Sequence, residues 1–135
     1  MAVFLLKTEP STYSWDDLVR EKRAVWDGIS NPVALRHLGT VKKGDDLLIY
    51  HTGDVKAVVG LARAASDAYP DPKAADPKKF VVDLEPRRPL ASPVPLATFR
   101  TDATLRTADI VRIPRLSVVP LTGAQLARVL ELAEG

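Results

Sequence analysis

The chain has 135 residues, 46% of them hydrophobic and 27% charged, with 19 Lys and Arg against 17 Asp and Glu. That composition suits one soluble globular domain with a core of its own and excludes disorder along the whole length. There is no cysteine, which excludes disulfides, thiolate metal ligation and a cysteine nucleophile, and no apolar run reaches the length of a membrane span.

In chain order, Ala2–Lys7 reads as a buried-type first strand. It runs directly into Lys7 and Glu9 with no basic n-region, so a signal peptide is not expected. Thr8–Thr12 is a loop. Ser14 and Asp17 have capping-box spacing and predict a helix over Trp15–Glu21. Asn31-Pro32 predicts a second helix start, with Val33, Leu35, Leu38 and Val41 as its buried face. Lys43-Gly44-Asp45 is a turn. Leu47–Thr52 and Ala57–Ala65 form a hairpin through Gly53-Asp54. Tyr69–Lys79 is a loop, Phe80–Leu84 a strand, Pro95–Arg106 short helix and loop, and Leu116–Val119 a short strand. Thr122 and Gln125 cap a last helix whose Leu126, Val129, Leu130 and Ala133 face the core. This succession argues for an α+β fold, a small and mostly antiparallel curved sheet or barrel with helices around it.

Recognised catalytic and nucleotide-binding motifs are missing: no GxGxxG, Walker A, GxSxG or HExxH occurs. Two separated histidines, His37 and His51, make no metal set, and no cofactor is expected. Asp16-Asp17 and Asp45-Asp46 each supply a cap or turn residue more simply than a catalytic acid. Six arginines (Arg87, Arg88, Arg100, Arg106, Arg112, Arg115) face only Asp102 and Asp109 between positions 87 and 115. Such a stretch suits phosphate, or is simply a solvated face.

Six polar–aromatic segments lie beside the expected strand ends. They are Lys7-Thr-Glu-Pro-Ser-Thr-Tyr13, Val25-Trp-Asp-Gly-Ile-Ser-Asn31, Ile49-Tyr-His-Thr-Gly53, Val58-Val-Gly60, Tyr69-Pro-Asp71 and Arg115-Leu-Ser-Val118. None is specific alone. In this order and spacing, from about Val3 to Leu130, the chain resembles the EVE domain family of the PUA-like superfamily, related to the YTH readers of methylated adenine. The resemblance implies a barrel-like sheet of five to six strands with flanking helices, one domain over residues 1–135. It also implies a pocket for a flipped, modified base in DNA or RNA. Two departures stand out. Ser30 replaces the arginine common in the family's Gly-Val-Arg-Asn, and Ile113-Pro114 replaces a polar pair before Arg-Leu-Ser-Val.

Trp26 is the first choice for an aromatic face, with Tyr13 and Tyr50 behind it; the alternative for Trp26 is core packing. Asn31 offers a base-reading amide or a helix cap, and Ser117 a hydroxyl for the base or for backbone. Arg115 contacts phosphate or pairs with Glu9. Lys7 and Glu9 bind the ligand at the pocket mouth, or form a surface pair. Ser11 belongs to the same mouth. His51 is a pocket or a structural histidine, and Tyr69 and Asp71 close over the pocket or make a rigid turn. Lys42, Lys43, Arg87 and Arg88 are the phosphate candidates.

The leading expectation is a non-catalytic, cytoplasmic module that binds nucleic acid carrying a modified base. One alternative is an enzyme on a modified nucleoside with Glu9, His51 and Asp71 as acid–base groups. The other is a small-ligand-sensing interaction module. The Ala/Val/Arg/Asp/Pro-rich composition is in keeping with a bacterial source.

Overall fold

Strand β1 (Val3–Thr8) buries Val3 through Leu6 at the centre of the core. It runs parallel to β3 (Asp46–His51), Leu5 beside Leu48, and antiparallel to β7 (Val118–Leu121), Leu5 beside Val119. In the computed structural model, which describes residues 1–134, β3 forms a hairpin with β4 (Ala57–Ala64), and β4 pairs in turn with β6 (Phe80–Pro95). Strand β2 (Ala24–Trp26) pairs antiparallel with Val82–Leu84 of β6 and ends the path β2-β6-β4-β3-β1-β7. A two-residue β5 (Tyr69–Pro70) pairs with the first residues of β6. The path curls into a half-barrel carrying five helices. The expected α+β, mostly antiparallel fold is what the chain adopts.

Local chemistry sets the helices. In α1 (Trp15–Glu21), Ser14 accepts from the Asp17 N–H while the Asp17 carboxylate accepts from the Ser14 N–H, a complete capping box. The Trp15 ring lies on the backbone of β4 at Gly60, where a Cβ would strike the indole. In α2 (Pro32–Leu38), the Asn31 Oδ1 accepts from the N–H groups of Val33 and Ala34 at 2.9 and 3.0 Å, and Pro32 supplies no amide needing a partner. Short helices α3 (Leu96–Thr101) and α4 (Asp109–Arg112) follow β6. In α5 (Gly123–Glu134), Thr122 and Gln125 exchange cap bonds at 2.9 and 3.0 Å.

The structure corrects several sequence expectations. Val33 is 39% exposed, and Ala34 takes its place beside Leu35 and Leu38. In the last helix Val129 and Ala133 are buried, whereas Leu126 and Leu130 lie only partly in the core. Strand β2 is absent from the sequence reading because three residues show no periodicity; pairing with β6 makes them a strand. Strand β6 runs sixteen residues, through Pro86, Pro89, Pro93 and Pro95. Beyond Leu84 its only sheet neighbour among the described residues is β4, and the register shifts twice, so the missing amides fall where one side of the strand needs no partner. The last strand starts at Val118. Arg115-Leu116-Ser117 therefore belongs to the turn before it, closed by the Leu116 N–H donating to the Ile113 carbonyl at 3.0 Å.

Candidate functional site

The curl of the sheet brings the end of β1 and the edge strand β2 to one cleft of about 750 Å³. One wall is Lys7, Thr8 and Glu9 with Thr12 and Tyr13 of the following loop. The other runs from Glu21 and Arg23 through β2 to Asp27, Gly28 and Ile29. Gly28 takes φ +79°, with open space around a would-be Cβ. Glycine is needed there for the turn and not for clearance.

Trp26 is both core and cleft floor. It is 7% exposed and meets Tyr13 edge-to-face, ring centroids 6.1 Å apart at 80°. Core packing, one of the two alternatives for Trp26, is what the structure shows, and the residue also lines the cleft. The Tyr13 hydroxyl donates to Glu21 Oε1 at 3.0 Å, and burial together with that carboxylate pushes its pKa up to about 12.

Lys7 and Glu9 line the cleft without forming an ion pair with each other among the described residues. The Lys7 ammonium donates to the Pro114 carbonyl at 2.8 Å and stands 5.7 Å over the Tyr50 ring; partial burial lowers its pKa. Glu9 Oε1 accepts from the Ser11 N–H at 3.1 Å and the Ser11 hydroxyl at 3.0 Å, and Oε2 from the Thr52 hydroxyl at 3.3 Å. The Ser11 bonds in particular hold its pKa below the ordinary carboxylate value. Gly53, at φ +71°, backs this arrangement: a Cβ there would sit 2.8 Å from Glu9 Oε2.

The other expected site residues are placed as follows. Tyr50 is buried beneath Lys7. His51 Nε2 accepts from the Trp15 N–H at 3.0 Å, so the ring is a neutral acceptor at the start of α1, and burial lowers its pKa. Asn31 uses its carbonyl oxygen as the α2 cap, two residues beyond the cleft lining. Ser117 gives its carbonyl to the Lys7 N–H at 3.0 Å. Arg115 is exposed in the same turn as Pro114 and forms no ion pair with Glu9 among the described residues. The Tyr69 hydroxyl donates to Asp83 at 2.6 Å, which drives its pKa up to about 12, and Asp83 also accepts from Arg23 at 2.9 Å. Asp71 accepts from the Lys73 N–H at 2.9 Å in a tight turn. Neither Tyr69 nor Asp71 lines the cleft.

Of the phosphate candidates, Arg87 lies 3.5 Å from Asp46 and Arg88 pairs with Glu134. Lys42 and Lys43 are exposed, and Lys43 lines a smaller neighbouring cleft with Arg23, Arg63 and Glu85. Sequence reasoning missed Asp27 and Gly28 as lining, although both stand in the quoted Trp-Asp-Gly segment. It had no signal for Glu21 or Arg23, which come into play only once β2 folds back.

Three comparisons bear on this arrangement. The EVE domain model matches residues 2–132. The structure of Rpa0253 from Rhodopseudomonas palustris is 34% identical, covers 98% of this chain and 93% of its own, and superposes with a TM-score of 0.92. Mouse thymocyte nuclear protein 1 is 28% identical over 97% of this chain and 73% of its own length. The structure of human THYN1 in complex with 5-methylcytosine-containing DNA is 26% identical, covers 100% of this chain and 99% of its own, and has a TM-score of 0.90. At the level of fold alone, the likeness extends to a YTH domain from Zygosaccharomyces rouxii, with 13% identity over 99% of this chain and 87% of that one and a TM-score of 0.60. Among the described residues no helix is long and apolar enough to cross a membrane.

Proposed function

Because this chain belongs to the EVE domain family, we propose that it is a nucleic-acid-binding module without catalytic activity, whose cleft between β1 and β2 holds a modified base swung out of its strand. The observation that carries this reading is the Tyr13–Trp26 pair set beside Lys7 and Glu9 in one open cleft. Unstacking a base costs a few kcal/mol. Contact with an aromatic face returns about 1–3 kcal/mol per base, and the two charged groups then address the base edge. The relative crystallised with 5-methylcytosine DNA supports the same class of ligand here.

In this reading the exposed Arg115 and Lys43 would take flanking phosphates, and Asn31, whose carbonyl caps α2, would offer its NH₂. The enzyme alternative draws no support from the geometry. Of Glu9, His51 and Asp71, only Glu9 lines the cleft, and its depressed pKa makes it a poor proton donor at neutral pH.

The test is fluorescence anisotropy with short single- and double-stranded oligonucleotides, DNA and RNA, each carrying one modified cytosine or adenine beside its unmodified control. The expected result is discrimination of about ten-fold or more for one modification, on the stacking scale above. The affinity should fall with added salt as phosphate contacts require. Binding of equal strength to every modified and control strand would overturn the reading.

A further inference from the structure

We propose that Lys7 and Glu9 act together as a donor–acceptor pair that selects bases whose pairing edge sets an exocyclic amino group beside a ring-nitrogen acceptor, as cytosine and adenine do, and that Glu9 is the residue rejecting their oxo counterparts. This rests on the base-binding reading above and goes beyond it by naming the edge that is read.

The premise is an unusual arrangement of charge. Two oppositely charged side chains line one cleft, and each is fixed by groups other than its partner. Lys7 is anchored to the Pro114 carbonyl, which leaves two ammonium hydrogens to donate. Glu9 is held through both oxygens, Oε1 by the two donors of Ser11 and Oε2 by Thr52 alone. An ionised carboxylate has about four acceptor sites, so Oε2 retains capacity for one more donor.

The groups around Glu9 reinforce its character. The Thr8 hydroxyl spends its proton on the Tyr13 carbonyl at 2.8 Å, and the Tyr13 hydroxyl spends its own on Glu21 at 3.0 Å. With their protons so placed, both hydroxyls could only accept from a ligand that reached them. Asp27 adds another carboxylate to the lining. Glu9 brings an acceptor and Lys7 a donor to the lining of the same cleft.

Cytosine presents N4–H₂ as donor next to N3 as acceptor, and adenine presents N6–H₂ next to N1 in the same order. Thymine and uracil reverse it, with O4 as acceptor next to N3–H as donor. A thymine placed where 5-methylcytosine fits would set O4 against the Glu9 carboxylate and N3–H against the Lys7 ammonium. Both contacts are repulsive, and a site built to hydrogen-bond one edge discriminates strongly against the other.

5-Methylcytosine and thymine share the 5-methyl group and the ring, so the pair isolates this edge. The experiment measures the affinity of the intact protein for three single-stranded DNAs identical except at one position: 5-methylcytosine, thymine or an abasic site. The wild-type protein should favour 5-methylcytosine over thymine by about ten-fold or more, as expected of a site that hydrogen-bonds one edge and opposes the other. In Glu9→Gln, whose amide can turn its NH₂ toward O4, that ratio should shrink to about three-fold or less. The ratio is the readout because a loosened loop would weaken both strands together, and thermal melting of the variant checks that it is folded. Equal wild-type affinity for 5-methylcytosine and thymine, both above the abasic strand, would overturn this inference and leave base binding standing. Retention of the full ratio in folded Glu9→Gln would overturn the role of Glu9. Equal affinity for all three strands would overturn the base-binding reading itself.

Discussion

The two ends of the curled sheet treat charge differently. At the end near α5, cations are matched to anions: Arg87 with Asp46, Arg88 with Glu134, and Arg128 with both Asp102 and Glu131. At the β1–β2 end, Lys7 and Glu9 share a cleft yet bond to uncharged partners, a carbonyl, an amide and two hydroxyls. Within the cleft lining Lys7 and Glu9 form no ion pair among the described residues, whereas Arg23 is matched to Asp83. The lesson is that pairing, more than composition, decides which charges a partner can meet.

The comparison breaks most visibly at Trp26. Truncating it removes the cleft floor and a member of the core, so Trp26→Ala should cost about 3–5 kcal/mol of stability, as large aromatic deletions do. It should also abolish discrimination between modified and unmodified strands. Chemical denaturation checks the first effect and anisotropy the second. Trp26→Phe separates the two, because it should keep the fold while reducing affinity.

A smaller effect is expected from pH at the same end of the sheet. His51 sits beside Thr8 in the β1–β3 register and accepts the Trp15 N–H as a neutral ring, with its pKa lowered by burial. A group favoured neutral in the folded state contributes its stability above the unfolded pKa, near 6.5 for histidine. That contribution should be lost as pH falls through 6.5 toward the lower folded value. The melting temperature of wild type should drop over this range, and that of His51→Gln should stay flatter. The lowered carboxylates, among them Glu9, Asp17, Asp83 and Asp102, lose their contributions only further down, as pH falls below about 4. The two windows are therefore separable.

The smallest effect should come from the neutralised end. Arg87→Ala and Arg88→Ala remove partners of exposed ion pairs, which contribute little. Affinity for a modified strand should stay within about two-fold, and the salt slope should be unchanged, since the slope counts phosphate contacts. A fall in both would show that these arginines leave their carboxylates for phosphate.

How much of this was legible follows from the range of each signal. The Ser14–Asp17, Asn31–Pro32 and Thr122–Gln125 caps are local chemistry, and all three helices start where those residues place them. The β3–β4 hairpin is marked by its own turn. Strand β2 and the later half of β6 are set by partners far away in sequence, with Ala24 facing Leu84 and Ala57 facing Pro95, so neither had a local mark. The site divides the same way. Lys7, Glu9, Tyr13 and Trp26 lay in segments that could be quoted, and the fold gathers them. The pairing of His51 with Trp15, of Tyr69 with Asp83 and of Arg88 with Glu134 depends on the closed sheet and could not be read along the chain.

The central claim is that a base enters the cleft and touches Trp26. The chain has two tryptophans, so Trp15→Phe leaves Trp26 as the sole indole reporter. Titrating that variant with a 5-methylcytosine strand should quench its fluorescence saturably, at the same concentration that raises anisotropy, whereas the abasic strand should not quench it. Anisotropy that rises to saturation with the Trp26 emission unchanged would contradict the account and place the base elsewhere.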